Sequence, residues 1–130
     1  MSTFEEVDVE VIKLCCRLRS QFGKSLEEFM FVLEFVLRES FNNAVEHGNK
    51  MKNSEKVKYE ISISKEGLTL DFWDSGEGFD LEEVLKHSDK EASLQIRNRG
   101  LQAIITFGFL ITVDRGHIRL KHKMEKVALF

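Results

Sequence analysis

Three groups of residues have side chains and spacings that suit chemistry. Glu39, Asn43 and His47 are each four residues apart, so a helix would set a carboxylate, an amide and an imidazole on one stripe. The amide oxygen of Asn43 suits a hard cation such as Mg2+, which keeps most of its ligands as water and phosphate oxygen. Glu39, one turn earlier, is placed to take a proton from an attacking hydroxyl or water. A solvated helix face would carry the same pair, and His47 fits a helix-end residue facing the C-terminal dipole. Asp74, Gly76 and Gly78 form the second group, at the end of an alternating apolar run. A carboxylate fixed there can accept a hydrogen bond from a ligand amine, and the glycines let backbone come close to whatever is bound. A plain strand-to-helix turn with positive φ also accounts for them. The third group, Asn98-Arg99-Gly100-Leu101, reads as a helix start, where unpaired N–H groups attract anions. Asn98 tolerates a left-handed conformation, and Arg97 and Arg99 can add charge-assisted bonds to phosphate. An ordinary helix start with solvated arginines is the alternative.

The elements that position these groups follow from periodicity. Ser25 to Gly48 reads as one long helix, with a Ser25/Glu28 capping box and Gly48 as a left-handed C-terminal cap. Its buried face is Leu26, Met30, Leu33, Leu37, Phe41, Ala44 and Val45. An earlier helix spans residues 7–22 through Val7, Val11, Leu14, Cys15, Leu18 and Phe22, and Gly23 ends it. Before Val7 there is room only for a short strand or a disordered lead. Asn49–Glu55 is a polar loop. Lys56–Ser64 and Leu68–Asp74 alternate around Lys65-Glu66-Gly67, which predicts a β-hairpin. Asp80 and Glu83 form a capping box for a short helix to about Lys86. Residues 87–98 are polar and aperiodic, a mobile segment, and Arg99–Phe107 is helical. A second hairpin pairs Phe109–Val113 with His117–Lys121. The expected architecture is an α+β two-layer sandwich, with a mixed or antiparallel sheet and helices on one face.

Length and composition bound the function. At 130 residues the chain predicts a single domain, residues 1–130, with 42% hydrophobic and 32% charged residues and no proline. A net charge of −3 argues against a general nucleic-acid binder. Arg115, His117, Arg119, Lys121, His122 and Lys123 leave room for a local basic patch near the C-terminus, but three of them alternate along a strand and read as solvated. No apolar run is long enough to span a membrane, and the N-terminus lacks a signal-peptide pattern. Cys15 falls on the apolar stripe of its helix and reads as a buried thiol; Cys15 and Cys16 are adjacent, which disfavours a disulfide. A cytoplasmic location fits these features.

Read together, E-x-x-x-N-A-x-x-H-G at Glu39–Gly48, D-x-G-x-G-F at Asp74–Phe79 and R-G-L at Arg99–Leu101 resemble the N box and two glycine boxes of the GHKL ATPases. That superfamily includes the nucleotide domains of gyrase, heat-shock chaperones and histidine kinases. The compact length and the N-A-x-x-H-G ending look most like the anti-sigma-factor serine/threonine kinases and their histidine-kinase-like ATPase relatives. The resemblance implies ATP between the helices and the sheet, under a lid at residues 80–98. Asp74 would bind the adenine amino group, with Gly76, Gly78 and Phe79 shaping the purine pocket. Asn43 would hold Mg2+, and Glu39 would be the general base. Gly100, with Arg97, Arg99 and Leu101, would meet the phosphates.

The chain departs from the family pattern in places. Asn98 stands where glycine is usual, Thr106-Phe107-Gly108-Phe109 replaces acidic residues typical of the kinases, and Gly116-His117 replaces a Gly-Thr pair whose threonine supports the adenine-binding aspartate. Two functions are therefore expected in competition. One is a Mg2+-dependent serine/threonine kinase that sequesters a sigma factor or other output protein and phosphorylates a STAS anti-anti-sigma protein, with a homodimer possible. The other is a non-catalytic or weakly nucleotide-binding module that works by sequestering partners. A histidine-kinase ATPase domain separated from its dimerisation helices is a third reading, disfavoured because no dimerisation segment with a phosphoacceptor histidine is present.

Overall fold

The computed structural model describes residues 3–48, 57–64, 66–86 and 92–123. Helix α1 spans Phe4–Phe22. It starts three residues earlier than the apolar periodicity predicts, because Thr3 caps it, its hydroxyl also donating to Glu6 Oε1 at 3.2 Å. The Thr3 hydroxyl accepts from the Glu6 N–H at 3.2 Å, satisfying a donor that the first helical turn leaves open. Val7, Val11, Leu14, Cys15 and Leu18 are buried as their spacing requires. Burial also pushes the Cys15 thiol up, and both cysteines are free.

The long second helix is built in three gauges. A 3-10 stretch at Gly23–Phe29 leads into α2 at Met30–Asn43, and a π turn, Ala44–Gly48, closes it. The expected α-helical start at Ser25 is thus a tighter 3-10 segment, and among the described residues no side chain caps the start of α2. The Ser25 side chain and the 49–55 loop lie outside the described residues. Met30, Leu33, Val36, Leu37, Phe41, Ala44 and Val45 are all buried. Asp8 on α1 takes a hydrogen bond from Arg38 on α2 at 2.9 Å, tying the two helices together.

Four strands form one antiparallel sheet: β1 Lys58–Ser64, β2 Gly67–Trp73, β3 Leu110–Asp114 and β4 His117–His122, in the order β1-β2-β4-β3. Register explains the core. Ile61 faces Leu70, Leu70 faces Leu120 and Leu120 faces Ile111. Tyr59, Phe72, Ile118 and Val113 make the parallel row. Both rows point toward the helices. Phe41 of α2 sits edge-on to Tyr59 and Phe72, with ring centroids 5.1 and 5.0 Å away.

The opposite sheet face carries Glu60, Asp71, Arg119 and Thr112 in one row and Lys58, Trp73, His117 and Asp114 in the next. Asp71 is only 4% exposed there. Arg119 donates to its Oδ1 at 2.7 Å, and His117 Nε2 lies at the same distance. Burial alone would raise this carboxyl, but those two hydrogen bonds outweigh it and hold it below its usual range. The basic run on β4 is therefore not simply solvated, since two of its members hydrogen-bond a buried carboxylate.

Two further helices complete the helical layer. Helix α3, Leu81–Lys86, begins as predicted, with the Glu83 N–H donating to Asp80 Oδ1 at 3.3 Å. Helix α4 spans Ala92–Thr106. Residues 92–98, expected within a mobile segment, form its first half, and residues 87–91 lie outside the described residues. The overall architecture is α+β, helices over one face of an antiparallel sheet.

Candidate functional site

The helical gauge of α2 decides which side chains share a surface. Glu39, Asn42, Asn43 and Glu46 are spaced i, i+3, i+4 and i+7, and all four line a cavity of about 280 Å3. Its other walls are Phe4 from α1, Ser40 from α2, Gly100, Leu101 and Ile104 from α4, and Ile118 and Leu120 from β4. Glu39, Asn43, Gly100 and Leu101, widely separated in sequence, therefore meet in one place. Burial raises the Glu39 carboxyl above its ordinary value. The side-chain oxygens of Asn42 and Asn43 are fully buried and have no hydrogen-bond partner among the described residues. A buried, unpaired amide oxygen is costly. The described walls contain two carboxylates and two amides but no Lys, Arg or His. The His47 side chain lies outside the described residues.

The glycine loop after β2 builds a second hollow. Glu77, Gly78, Phe79, Asp80, Leu81, Ile111, Val113 and Arg115 line an open cavity of about 640 Å3. Its wall residues Val113 and Ile111 pair in register with Ile118 and Leu120 of the first cavity. The two hollows therefore lie side by side on the helical face of the sheet. Asp74 and Gly76 line neither. Asp74 is held by its own loop and by the β3–β4 turn: its Oδ1 accepts from the Gly76 N–H at 2.8 Å, and its N–H donates to the Gly116 carbonyl at 2.8 Å. Positive φ falls on Gly78, at 85°. A Cβ there would come within 2.8 Å of Arg115 Cα, so this glycine lets the loop dock on the β3–β4 turn.

His117, at the position where the family's threonine is expected, does not turn toward Asp74. It stacks on Trp73 across the open sheet face, with centroids 4.7 Å apart and ring planes 7° from parallel, and reaches Asp71. Backbone of the β3–β4 turn supports Asp74 in its place.

The second glycine box differs from expectation. Gly100 is buried in the interior of α4 instead of at its first turn. The N–H groups of Arg99, Gly100 and Leu101 thus lie inside the helix, not at its open end. Arg99 is exposed, and the Arg97 and Asn98 side chains lie outside the described residues. Leu101, 5% exposed, is an apolar wall. Asn42 and Glu46 went unnoticed in the sequence, although i+3 and i+7 from Glu39 mark the same helix face as i+4.

Among the described residues no helix is long and apolar enough to cross a membrane. The fold resembles the histidine kinase domain of the Erythrobacter litoralis EL346 blue-light activated histidine kinase, with a TM-score of 0.56 at 16% identity. That similarity covers 93% of this chain, which spans 66% of the length of that domain. No curated protein matches the sequence. The sequence profile of the histidine kinase-like ATPase domain matches residues 20–116, well over half of the chain, and the protein belongs to that family.

Proposed function

We propose that this domain binds ATP with Mg2+ and transfers the γ-phosphoryl group to a serine or threonine of a small STAS anti-anti-sigma protein, in a pathway where it also sequesters a sigma factor or other output protein. The observation that carries the reading is the buried, unpaired Oδ1 of Asn43 beside Glu39 in one cavity. A hard cation is the partner such an oxygen lacks, so the residues fit Mg2+. When bound, the ion would neutralise the phosphates in a cavity whose described walls are acidic. Asn43 holds the ion. Glu39, its basicity raised by burial, takes the proton of the acceptor hydroxyl. Asp74, fixed at the end of β2, accepts from the adenine amino group, and Phe79 and Gly78 wall the purine side. Incubation with Mg-ATP and a STAS protein should yield phosphoserine or phosphothreonine. Undiminished transfer by Glu39→Ala would refute the assigned base.

One observation favours a second reading, a partner-binding module without catalysis: α4 absorbs the second glycine box, using in helical bonds the amides that would meet phosphate. Titration with ATP and ADP separates the two readings. No binding in the low-millimolar range, roughly −4 kcal/mol, would favour the module.

A further inference from the structure

A glycine in the interior of a helix needs a reason, because it weakens the helix relative to alanine. Gly100 is buried in α4, and the place where its Cβ would stand is taken. That position is 3.2 Å from Cδ of Glu39, and closer still to Oε2. Glu39 approaches from α2, the neighbouring helix, and both residues wall the same cavity. The missing side chain is thus the space into which the carboxylate fits.

We propose that Gly100 is a positioning residue for Glu39: its bare Cα lets the carboxylate lie against the backbone of α4, which fixes where the general base points. The role rests on the proposed phosphoryl-transfer reading for its consequence, but not for its geometry. It differs from a glycine that merely bares its N–H to phosphate, since here the close neighbour is a side chain of the same protein. A methyl group at position 100 would push the carboxylate away. Misplacing a reacting group by about 1 Å can cost on the order of a hundredfold in rate.

A melting cycle and a kinetic split test the proposal. In the wild-type background Gly100→Ala should lower the melting temperature by about 1–3 °C, a small loss because the Cβ displaces the end of the Glu39 side chain and no backbone. In the Glu39→Ala background the space is vacant, and the same change should be neutral or raise it by about 1–3 °C through helix propensity. Glu39→Asp, one methylene shorter, should relieve most of the loss caused by Gly100→Ala. Turnover of Gly100→Ala should fall at least about tenfold while its ATP dissociation constant stays within about threefold of wild type. Equal melting shifts in both backgrounds would overturn the proposal, as would an affinity loss that accounts for the whole fall in kcat/KM. If wild-type protein binds no nucleotide, the proposed function fails, and the melting cycle alone still decides whether Gly100 seats Glu39.

Discussion

Gly78→Ala tests how the glycine loop is held. At φ 85° an L-residue is strained, at a cost of about 1–2 kcal/mol. The new Cβ would also stand 2.7 Å from the Arg115 carbonyl carbon and 2.8 Å from its Cα. Both are backbone atoms, so no side chain can swing aside; overpacking of this kind costs about 1–3 kcal/mol. The two effects together amount to about 2–5 kcal/mol. For 130 residues the unfolding entropy is about 0.27 kcal/mol/K, so the expected fall in melting temperature is about 7–18 °C.

Gly23→Ala is the matched control. Gly23 also has positive φ, at 55°, but nothing lies within 4 Å of its Cβ position. It should show only the backbone strain of its φ 55°, ψ −132° conformation, about 1–3 kcal/mol or a fall of about 4–11 °C. The entropy that alanine removes from the unfolded chain is common to both variants and cancels. Thermal unfolding followed by circular dichroism gives both numbers, and an ATP titration of each adds a functional readout. Gly78→Ala should bind ATP more weakly, because the displaced loop carries Asp74, whereas Gly23→Ala should leave binding alone. Equal melting losses, with equal affinities, would refute the docking of the loop on the β3–β4 turn as the reason for Gly78.

Asp71 should make the protein acid-sensitive. Its folded pKa lies below the ordinary value of 3.8, so its stabilising effect is present above that value and lost as pH falls through the folded pKa. Asp71→Asn should flatten the decline of melting temperature below about pH 4. Glu39 has the opposite sign. Its raised pKa means that the folded state is favoured while the carboxyl is protonated and loses that advantage as pH rises through the folded value. Glu39→Gln should therefore raise the melting temperature at neutral pH while abolishing phosphoryl transfer; a lower melting temperature would contradict the burial argument. Phe41→Ala, at 0% exposure between two aromatic partners, should cost about 3–5 kcal/mol by denaturant unfolding. Asn43→Ala should abolish Mg2+-dependent nucleotide binding with little loss of stability, because it removes an oxygen whose burial costs about 1–3 kcal/mol; undiminished Mg2+ dependence would free Asn43 of its assigned role.

What could be read from the chain, and what could not, divides along the range of the interactions. Val7 to Leu18 and Met30 to Val45 carry apolar residues at helical spacing, and the strands alternate, so their buried faces follow from local period alone. Thr3-x-x-Glu6 is equally local, and the earlier start of α1 could have been read from it. The first half of α4 carries no such mark. Its apolar residues Leu94 and Ile96 are two apart, a spacing that speaks for a strand, and the helical pattern emerges only from Leu101 onward. Helix formation is cooperative once a nucleus exists, so a well-packed second half can carry a weakly patterned first half with it. Asp71 is misleading for the reverse reason. It looks like a solvent-face residue, and its burial depends on Arg119 and His117, which only the β2–β4 pairing brings alongside. The same pairing places the β3–β4 turn beneath Asp74. A site assembled by strand pairing across half the chain can thus be recognised from the sequence as a set of motifs. The neighbours that set the charge, strain and reach of each residue come from the register.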